Sequence, residues 1–219
     1  MGAAGTTIDE LVIGDEPAAW HDAGFEVDTD GTCYVGTVRL NLAGRVAGKG
    51  IRGWSLRDMA PAQGDARADI DGIATRTSER PPGEGERHRN GTIAIDHLVL
   101  MSPDGGRTAA AITAATGLDV RRTRDAESNG RPMRQRFFRM GEVILELVSP
   151  PAAGDGPAGF FGLTFTVADL DGLVTVYGDR MGPVKAAVQQ GRRIATLRHR
   201  PLDLSVAVAF MSPDRQPRL

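Results

Sequence analysis

One short sequence pattern occurs more than once in this chain, and the repetition limits the fold more than any other feature. The segment 8–14 (IDELVIG) is followed by an alanine-rich stretch, and so is the segment 95–101 (IDHLVLM). Each alanine-rich stretch ends at a glycine, Gly24 or Gly117, which can adopt the left-handed conformation that ends a helix. Both copies therefore predict a mainly apolar strand that leads into a helix.

Further strand candidates follow each predicted helix. They lie at 33–44 (CYVGTVRLNLAG) in the first copy and at 134–148 (RQRFFRMGEVILELV) in the second. Within the second segment, Met140–Val143 predicts a tight turn between two strands.

A third and more diverged copy begins at 159–167 (GFFGLTFTV). Its helix is predicted to begin at Asp169 or Asp171, since aspartate is a favoured N-cap residue. Two strand candidates, 192–200 and 204–213, close this copy with a turn between them. We therefore predict an α+β fold built from repeated βαβββ modules, whose curved mixed sheets together form a cup.

A stretch rich in proline and glycine (SERPPGEGERHRNG) divides the repeats into two unequal groups. We predict a shortened N-terminal module at 1–77, a linker at 78–92 and a complete two-module domain at 93–214. The shortened module includes 50–58 (GIRGWSLRD), which echoes 159–167. Because it cannot close a cup alone, we expect it to pack on the two-module domain or to exchange between two chains of a homodimer.

Composition excludes several classes of protein. The 219 residues include one cysteine, Cys33, so an internal disulfide framework is excluded. The net charge is −2, which gives no basic field for nucleic acid, although 93–219 carries 16 basic and 13 acidic residues against 10 and 15 in 1–92. With no signal peptide or apolar span evident, we expect a cytoplasmic protein without a membrane partner.

The second and third copies together resemble the vicinal oxygen chelate superfamily, which includes glyoxalase I, bleomycin-resistance proteins, extradiol dioxygenases and methylmalonyl-CoA epimerase. The segments that carry the resemblance are 95–100 (IDHLVL), 116–118 (TGL), 140–150 (MGEVILELVSP), 159–171 (GFFGLTFTVADLD) and 204–213 (LSVAVAFMSP). The resemblance implies a glyoxalase-like cup formed by two paired modules. It also implies that a divalent metal is held by side chains of the first and last strand of each module.

On this resemblance, the metal ligands are His97 and Glu146, whose imidazole and carboxylate suit Zn, Fe, Mn, Ni or Co. The other module offers Phe160 and Ala209 at the matching places, and neither side chain can coordinate a metal. Two ligands are fewer than the three that a catalytic metal normally has. We therefore expect no metal, with His97 a buried histidine that is hydrogen-bonded to Glu146, and keep a single divalent ion as the alternative.

Strand alternation identifies what the cup would hold. Ser205, Ala207 and Ala209 are predicted to face inward from the last strand, and Phe160 and Thr164 from the strand at 159–167. Small residues on a concave face leave unfilled volume, which favours a pocket for a small, partly apolar organic molecule. The alternative is that long neighbouring side chains or a partner subunit fill the space.

Arginine offers a way to bind an anionic group in the cup. An inward-facing Arg134 or Arg136 would hold a carboxylate by a forked, charge-assisted hydrogen bond. The alternative, which we favour, is a solvated edge strand carrying arginine against sheet-to-sheet pairing. Arg192 and Arg193 are interpreted as a surface pair.

Three functions from different classes fit these observations. The first, which we favour, is binding of a small, partly apolar organic molecule in the cup. If an arginine faces inward, this molecule would be an anion. The second is a metal-dependent lyase, isomerase or dioxygenase acting on vicinal oxygens, and the third is a non-catalytic assembly or regulatory protein. The sequence leaves open whether the protein is an enzyme. Trp20 and Trp54 are interpreted as core residues of the N-terminal module, and Cys33 as a semi-buried strand cysteine.

Overall fold

The computed structural model describes residues 5–59, 69–128 and 130–214, which form two β-sheets with short helices. The elements of the first sheet are β1 (Thr7–Ile13), α1 (Pro17–Asp22), β2 (Thr32–Val35), β3 (Val38–Leu42), β4 (Ile51–Arg57) and β5 (Thr75–Thr77). The strands of this sheet lie in the order β2-β3-β1-β4-β5.

The second sheet is larger and contains both predicted C-terminal modules. Its elements are β6 (Thr92–Met101), α2 (Gly105–Thr116), β7 (Arg122–Ser128), β8 (Arg131–Met140), β9 (Val143–Ser149), β10 (Gly159–Val167), α3 (Leu170–Tyr177), β11 (Lys185–Ala186), β12 (Arg193–Thr196) and β13 (Ala207–Met211). The eight strands lie in the order β11-β12-β13-β10-β6-β9-β8-β7 and curve into a half-barrel. The predicted α+β architecture with a cup is confirmed.

The two sheets are built by the same rule, as the sequence repeat implies. β1 pairs parallel with β3 and antiparallel with β4, as β6 pairs parallel with β9 and antiparallel with β10. β5 runs parallel to β4, as β13 runs parallel to β10. The predicted echo between 50–58 and 159–167 therefore corresponds to equivalent strands, and the first sheet is a shortened version of the second.

Local sequence signals explain where the helix α2 begins and ends. The Asp104 side chain accepts hydrogen bonds from the N–H groups of Gly106 and Arg107, both 3.0 Å long. Gly117, with a φ of 70°, ends the helix in the left-handed conformation that the sequence predicts. Asp169 caps α3 in the same way, so the choice between Asp169 and Asp171 is resolved.

One continuous hydrophobic core joins the two sheets. Trp20 of α1 and Phe25 pack against Phe165 of β10, and the rings of Phe25 and Phe165 have centroids 5.0 Å apart. Phe210 of β13 belongs to the same cluster. The shortened module thus packs on the larger sheet within one chain, while the homodimer stays a prediction.

Polar contacts reinforce this junction. The Asp15 carboxylate, fully buried, accepts hydrogen bonds from Trp20 Nε1 at 3.1 Å and from the backbone N–H of Ser205 at 3.0 Å. Arg45 binds the same carboxylate at 2.7 Å. These bonds tie the turn after β1 to the start of β13.

Residues 78–91 of the predicted linker have no regular secondary structure and lie against the first sheet, and Thr92 already belongs to β6. The N–H of Glu86 donates to the carbonyl of Tyr34 on the edge strand β2, and Arg57 of β4 donates to the carbonyl of Arg80. The division at 78–92 stays a prediction, because the sheets separate there but share one core.

Trp20 and Trp54 are buried in the core, as predicted. Cys33 is fully buried rather than semi-buried, and burial raises the pKa of its thiol. β7, by contrast, is absent from the sequence prediction, because its residues (RTRDAES) form no apolar run.

Within the described part of the chain, no helix is long and apolar enough to span a membrane.

Two equivalent glycines allow parallel strands to approach closely. A Cβ on Gly162 of β10 would overlap the carbonyl oxygen of Ala207 on β13, and a Cβ on Gly53 of β4 would lie 2.7 Å from the carbonyl oxygen of Ala74 beside β5. Gly159, at the start of β10, has open space at its Cβ position.

We expect Gly162→Ala and Gly53→Ala each to lower the free energy of unfolding by about 1–3 kcal/mol, because the added methyl group pushes paired strands apart. Gly159→Ala is the matched control and is expected to change stability little. Urea unfolding followed by circular dichroism measures all three. Equal stability of Gly162→Ala and Gly159→Ala would contradict the close approach.

Candidate functional site

A cavity of about 640 Å³ lies on the concave face of the larger sheet, between its two modules. Its walls come from β6 to β10, from β12 and β13, and from the segment 186–189 beside β11. The apolar wall residues are Phe137, Phe138, Ile144, Val188, Ile194 and Met211, together with Ala186 and Ala187. The polar side chains of His97, Gln135 and Glu146 lie among these apolar residues.

A β-bulge in β6 places His97 in this cavity. Thr164 of β10 pairs with His97, and the next residue, Phe165, pairs with Ile95, so Asp96 is the additional residue of the bulge. A bulge of this kind changes the side-chain alternation of its strand and turns side chains toward new partners. As a result, the Asp96 carboxylate approaches the imidazole of its own neighbour, His97.

Asp96 is the centre of a buried polar network. Nδ1 of His97 lies 2.6 Å from Oδ2 of Asp96, and Nη1 of Arg192 lies 2.6 Å from Oδ1. Arg192 also donates to the hydroxyl of Thr166 at 3.1 Å and to the carbonyl of Ser212 at 2.8 Å. The other ring nitrogen of His97, Nε2, lies 3.3 Å from Nε2 of Gln189, a residue of the cavity wall.

The network changes the ionisation of Asp96. Burial alone raises the pKa of this carboxyl group, but the hydrogen bonds and charges of His97 and Arg192 outweigh it and lower the pKa from 3.8 to about 2. Asp96 is therefore an anion near neutral pH, with Arg192 hydrogen-bonded to Oδ1 and the His97 imidazole close to Oδ2.

Glu146 of β9 lies in a less polar environment of the same cavity. Burial raises its pKa, while the charge of His97, a hydrogen bond from Gln135 and the charge of Arg124 act against that increase. Gln135 Nε2 donates to Glu146 at 2.6 Å. The Gln135 side-chain oxygen is buried and has no hydrogen-bond partner in the described part of the chain.

The expected hydrogen bond between His97 and Glu146 is therefore corrected. His97 contacts Asp96 and Gln189, whereas Glu146 accepts from Gln135. Both side chains nevertheless line one cavity, as the cup model predicts. Thr164, also predicted to face inward, lines it as well.

Phe160 does not lie in the cavity, and this prediction is wrong. A second bulge between Phe160 and Gly162 interrupts the alternation of β10, so Phe160 faces Trp54 with ring centroids 5.3 Å apart. Thr164 is instead the residue that lies opposite His97.

The small residues of the last strand lie outside the walls of the cavity. Ala207 and Ala209 alternate with Val208 in β13 and are partly exposed, but the walls include Met211 of this strand and neither alanine. Ser205 precedes the strand and donates its backbone N–H to Asp15 and its hydroxyl to the same carboxylate. Its role is to join the two sheets.

The arginines of β8 face away from the cavity. Arg134 forms an exposed ion pair with Asp125 of β7 at 2.7 Å, and Arg136 donates to the Ser149 hydroxyl at 3.2 Å. Gln135 and Phe137, the alternate residues, are the ones that line the cavity. The edge-strand interpretation of Arg134 and Arg136 fits this placement, and the binding role predicted for them does not.

Sequence reasoning missed two parts of the site. Arg192, interpreted as a surface residue, is buried against Asp96, whereas Arg193 is exposed and pairs with Asp171 at 2.7 Å. The aspartate that precedes His97, repeated as Asp9 in the first copy, was the available signal for a buried cation partner. The wall formed by β7 was missed because this strand lacks an apolar pattern.

The donor set does not fit a tightly held metal. His97 and Glu146 are the only two residues of the preferred ligand types that line the cavity, and the described residues contain no group of three or more His, Cys, Asp or Glu that could hold an ion. Asp96, the nearest other carboxylate, is already paired with His97 and Arg192. We therefore derive no chemistry through a metal.

Comparison with solved structures identifies the fold. A mutant of 4-hydroxymandelate synthase from Streptomyces coelicolor aligns over 98% of this chain and 94% of its own, with 14% identity and a TM-score of 0.65. Methylmalonyl-CoA epimerases from Mycobacterium tuberculosis and Streptomyces coelicolor align over 57% and 58% of this chain and 90% and 99% of their own, with 13% and 17% identity and TM-scores of 0.44 and 0.45.

The chain therefore shares the fold of this synthase, which agrees with the glyoxalase-like cup that the repeats predict. No family model and no curated protein matches the sequence.

Asp96→Asn is expected to lower the free energy of unfolding near pH 7 by about 3–5 kcal/mol, because Arg192 loses its buried partner. Since the folded-state pKa lies below the ordinary value, the ionised carboxylate stabilises the fold above about pH 4. That contribution is lost as the pH falls through about 2.

The stability difference between wild type and Asp96→Asn should therefore narrow between about pH 4 and pH 2. Urea unfolding at a series of pH values measures it. Asp125→Asn, which breaks an exposed ion pair, is the control and should change stability little. A variant at Asp96 that is as stable as wild type near pH 7 would contradict the network.

Proposed function

We propose that this protein binds a small, partly apolar organic molecule in the cavity between the two modules of the larger sheet. The observation that carries the proposal is the cavity itself: about 640 Å³, with apolar walls and a few convergent polar groups. Small-molecule sites in proteins typically occupy ~300–1,000 Å³ and have this composition.

The polar groups of the cavity are suited to orienting such a molecule. The unpartnered oxygen of Gln135 is an acceptor that a hydroxyl or N–H group of the ligand would satisfy. Nε2 of His97, whose side chain lines the cavity, is a second position for a ligand hydrogen bond. Buried groups of this kind fix orientation, while the apolar walls supply most of the contact area.

The other two functions lack a comparable observation. A metal-dependent lyase, isomerase or dioxygenase needs a third protein ligand that the cavity does not offer. For an assembly or regulatory role, no feature of the described residues favours a particular surface. Binding is therefore the function that the geometry supports best, and it is compatible with catalysis on the bound molecule.

A neutral fluorescent probe, N-phenylnaphthylamine, tests the proposal directly. It gains fluorescence in apolar surroundings, and its N–H group can donate to Gln135 or His97. We expect saturable binding to the wild-type protein. Ile144→Trp should weaken this binding at least tenfold, because Ile144 is partly exposed on the cavity wall and the larger ring would fill the volume.

Val46→Trp is the control, since Val46 is fully exposed and lies far from the cavity walls. Circular dichroism checks that both variants are folded. Equal probe binding by wild type, Ile144→Trp and Val46→Trp would show that the probe does not occupy the cavity and would overturn the proposal.

A further inference from the structure

We infer that the ligand of this cavity is an organic anion, whose charged group is bound by Arg121 and Arg122 at the mouth while its apolar body lies inside. The inference rests on the proposed function and adds to it the charge and the orientation of the ligand. It is carried by two neighbouring arginines that line the cavity, Arg121 just before β7 and Arg122 at the start of β7.

The charge on the cavity wall is strongly unbalanced. Three arginines along it, Arg121, Arg122 and Arg124, stand against one carboxyl group, that of Glu146. A cavity of this kind concentrates field lines of one sign and attracts an anion.

The arginines near the β7–β8 pair differ in whether a carboxylate pairs with them. On the outer face, Arg134 is paired with Asp125, with Nε–Oδ1 and Nη2–Oδ2 distances of 2.7 and 3.2 Å. Neither Arg121 nor Arg122, both of which line the cavity, forms a salt bridge with any described residue.

Arg124 has a different position from its two neighbours. It is partly buried, lies opposite Gln135 in the strand register, and its charge lowers the pKa of Glu146 against the effect of burial. The positive charge of Arg124 is thus partly compensated by Glu146 within the protein. Arg121 and Arg122 therefore remain as the groups for an external anion.

The position of these two arginines sets the orientation of the ligand. Arg122 lies opposite Phe137 in the register, and the N–H of Arg121 donates to the Phe137 carbonyl at 2.8 Å. Both arginines are exposed to solvent, whereas Met211 on the far wall is buried. The charged group is therefore held at the solvent edge, where its desolvation costs little, and the apolar body extends past Phe137 toward Ile144 and Met211.

A pair of matched probes tests the inference. Anilinonaphthalene sulfonate and N-phenylnaphthylamine share one ring system, and the first carries an added sulfonate. We expect the wild-type protein to bind the sulfonate about tenfold more tightly than the neutral probe, which corresponds to one favourable charge-assisted contact. Added salt should weaken binding of the sulfonate and leave the neutral probe unaffected.

The double variant Arg121→Gln/Arg122→Gln is expected to bind both probes with about equal affinity, with neutral-probe binding unchanged. Arg76→Gln is the matched control, because Arg76 is exposed on β5 of the other sheet. It should keep the wild-type preference. Ile144→Trp should weaken both probes, which places the sulfonate in the same cavity.

The outcomes separate the inference from the proposed function. If neither probe binds, the proposed function fails and the inference fails with it. If both bind with equal affinity and the double variant changes nothing, the cavity binds apolar molecules but the inference is overturned, and these arginines serve to protect the sheet edge. A preference that Arg76→Gln removes as completely as the double variant does would also overturn it.

Discussion

The site depends on the β-bulge at Asp96 and on the ion pair that holds it. A bulge leaves one residue without a ladder partner, and here that residue is a carboxylate buried beside the centre of an eight-stranded sheet. A buried charge of this kind is tolerable only when it is paired, and Arg192 and His97 supply the pairing. The bulge at Asp96, the Arg192 guanidinium and the position of the His97 imidazole therefore depend on one another.

The first sheet contains the same bulge with a different consequence. Asp9 is the additional residue of β1, and it pairs with Arg57. The following residue, Glu10, forms an ion pair with Arg39, its register partner on β3. In the larger sheet the corresponding positions are His97 and Ile144, which pair across β6 and β9 without a charge pair between them. Replacement of a long ion pair by imidazole and an aliphatic side chain leaves wall surface for a cavity.

Much of the fold followed from the sequence, because the repeat encodes it redundantly. The helix end at Gly117, the turn at Gly141 and the equivalence of β4 with β10 all rest on local signals that the structure reproduces. The site was less predictable. Strict alternation failed for Phe160 because a bulge is not visible in the sequence as a change of period. Arg192 and β7 were missed because a buried ion pair and a polar edge strand resemble surface segments.

Isoleucine methyl groups give the most direct measurement of where a ligand binds. Ile144 and Ile194 line the cavity, whereas Ile8, Ile13 and Ile112 are buried in the shared core away from it. In a methyl-labelled sample titrated with N-phenylnaphthylamine, the account predicts saturable chemical-shift changes at Ile144 and Ile194 and none at the three core residues. Changes at the core isoleucines with none at Ile144 and Ile194 would contradict it.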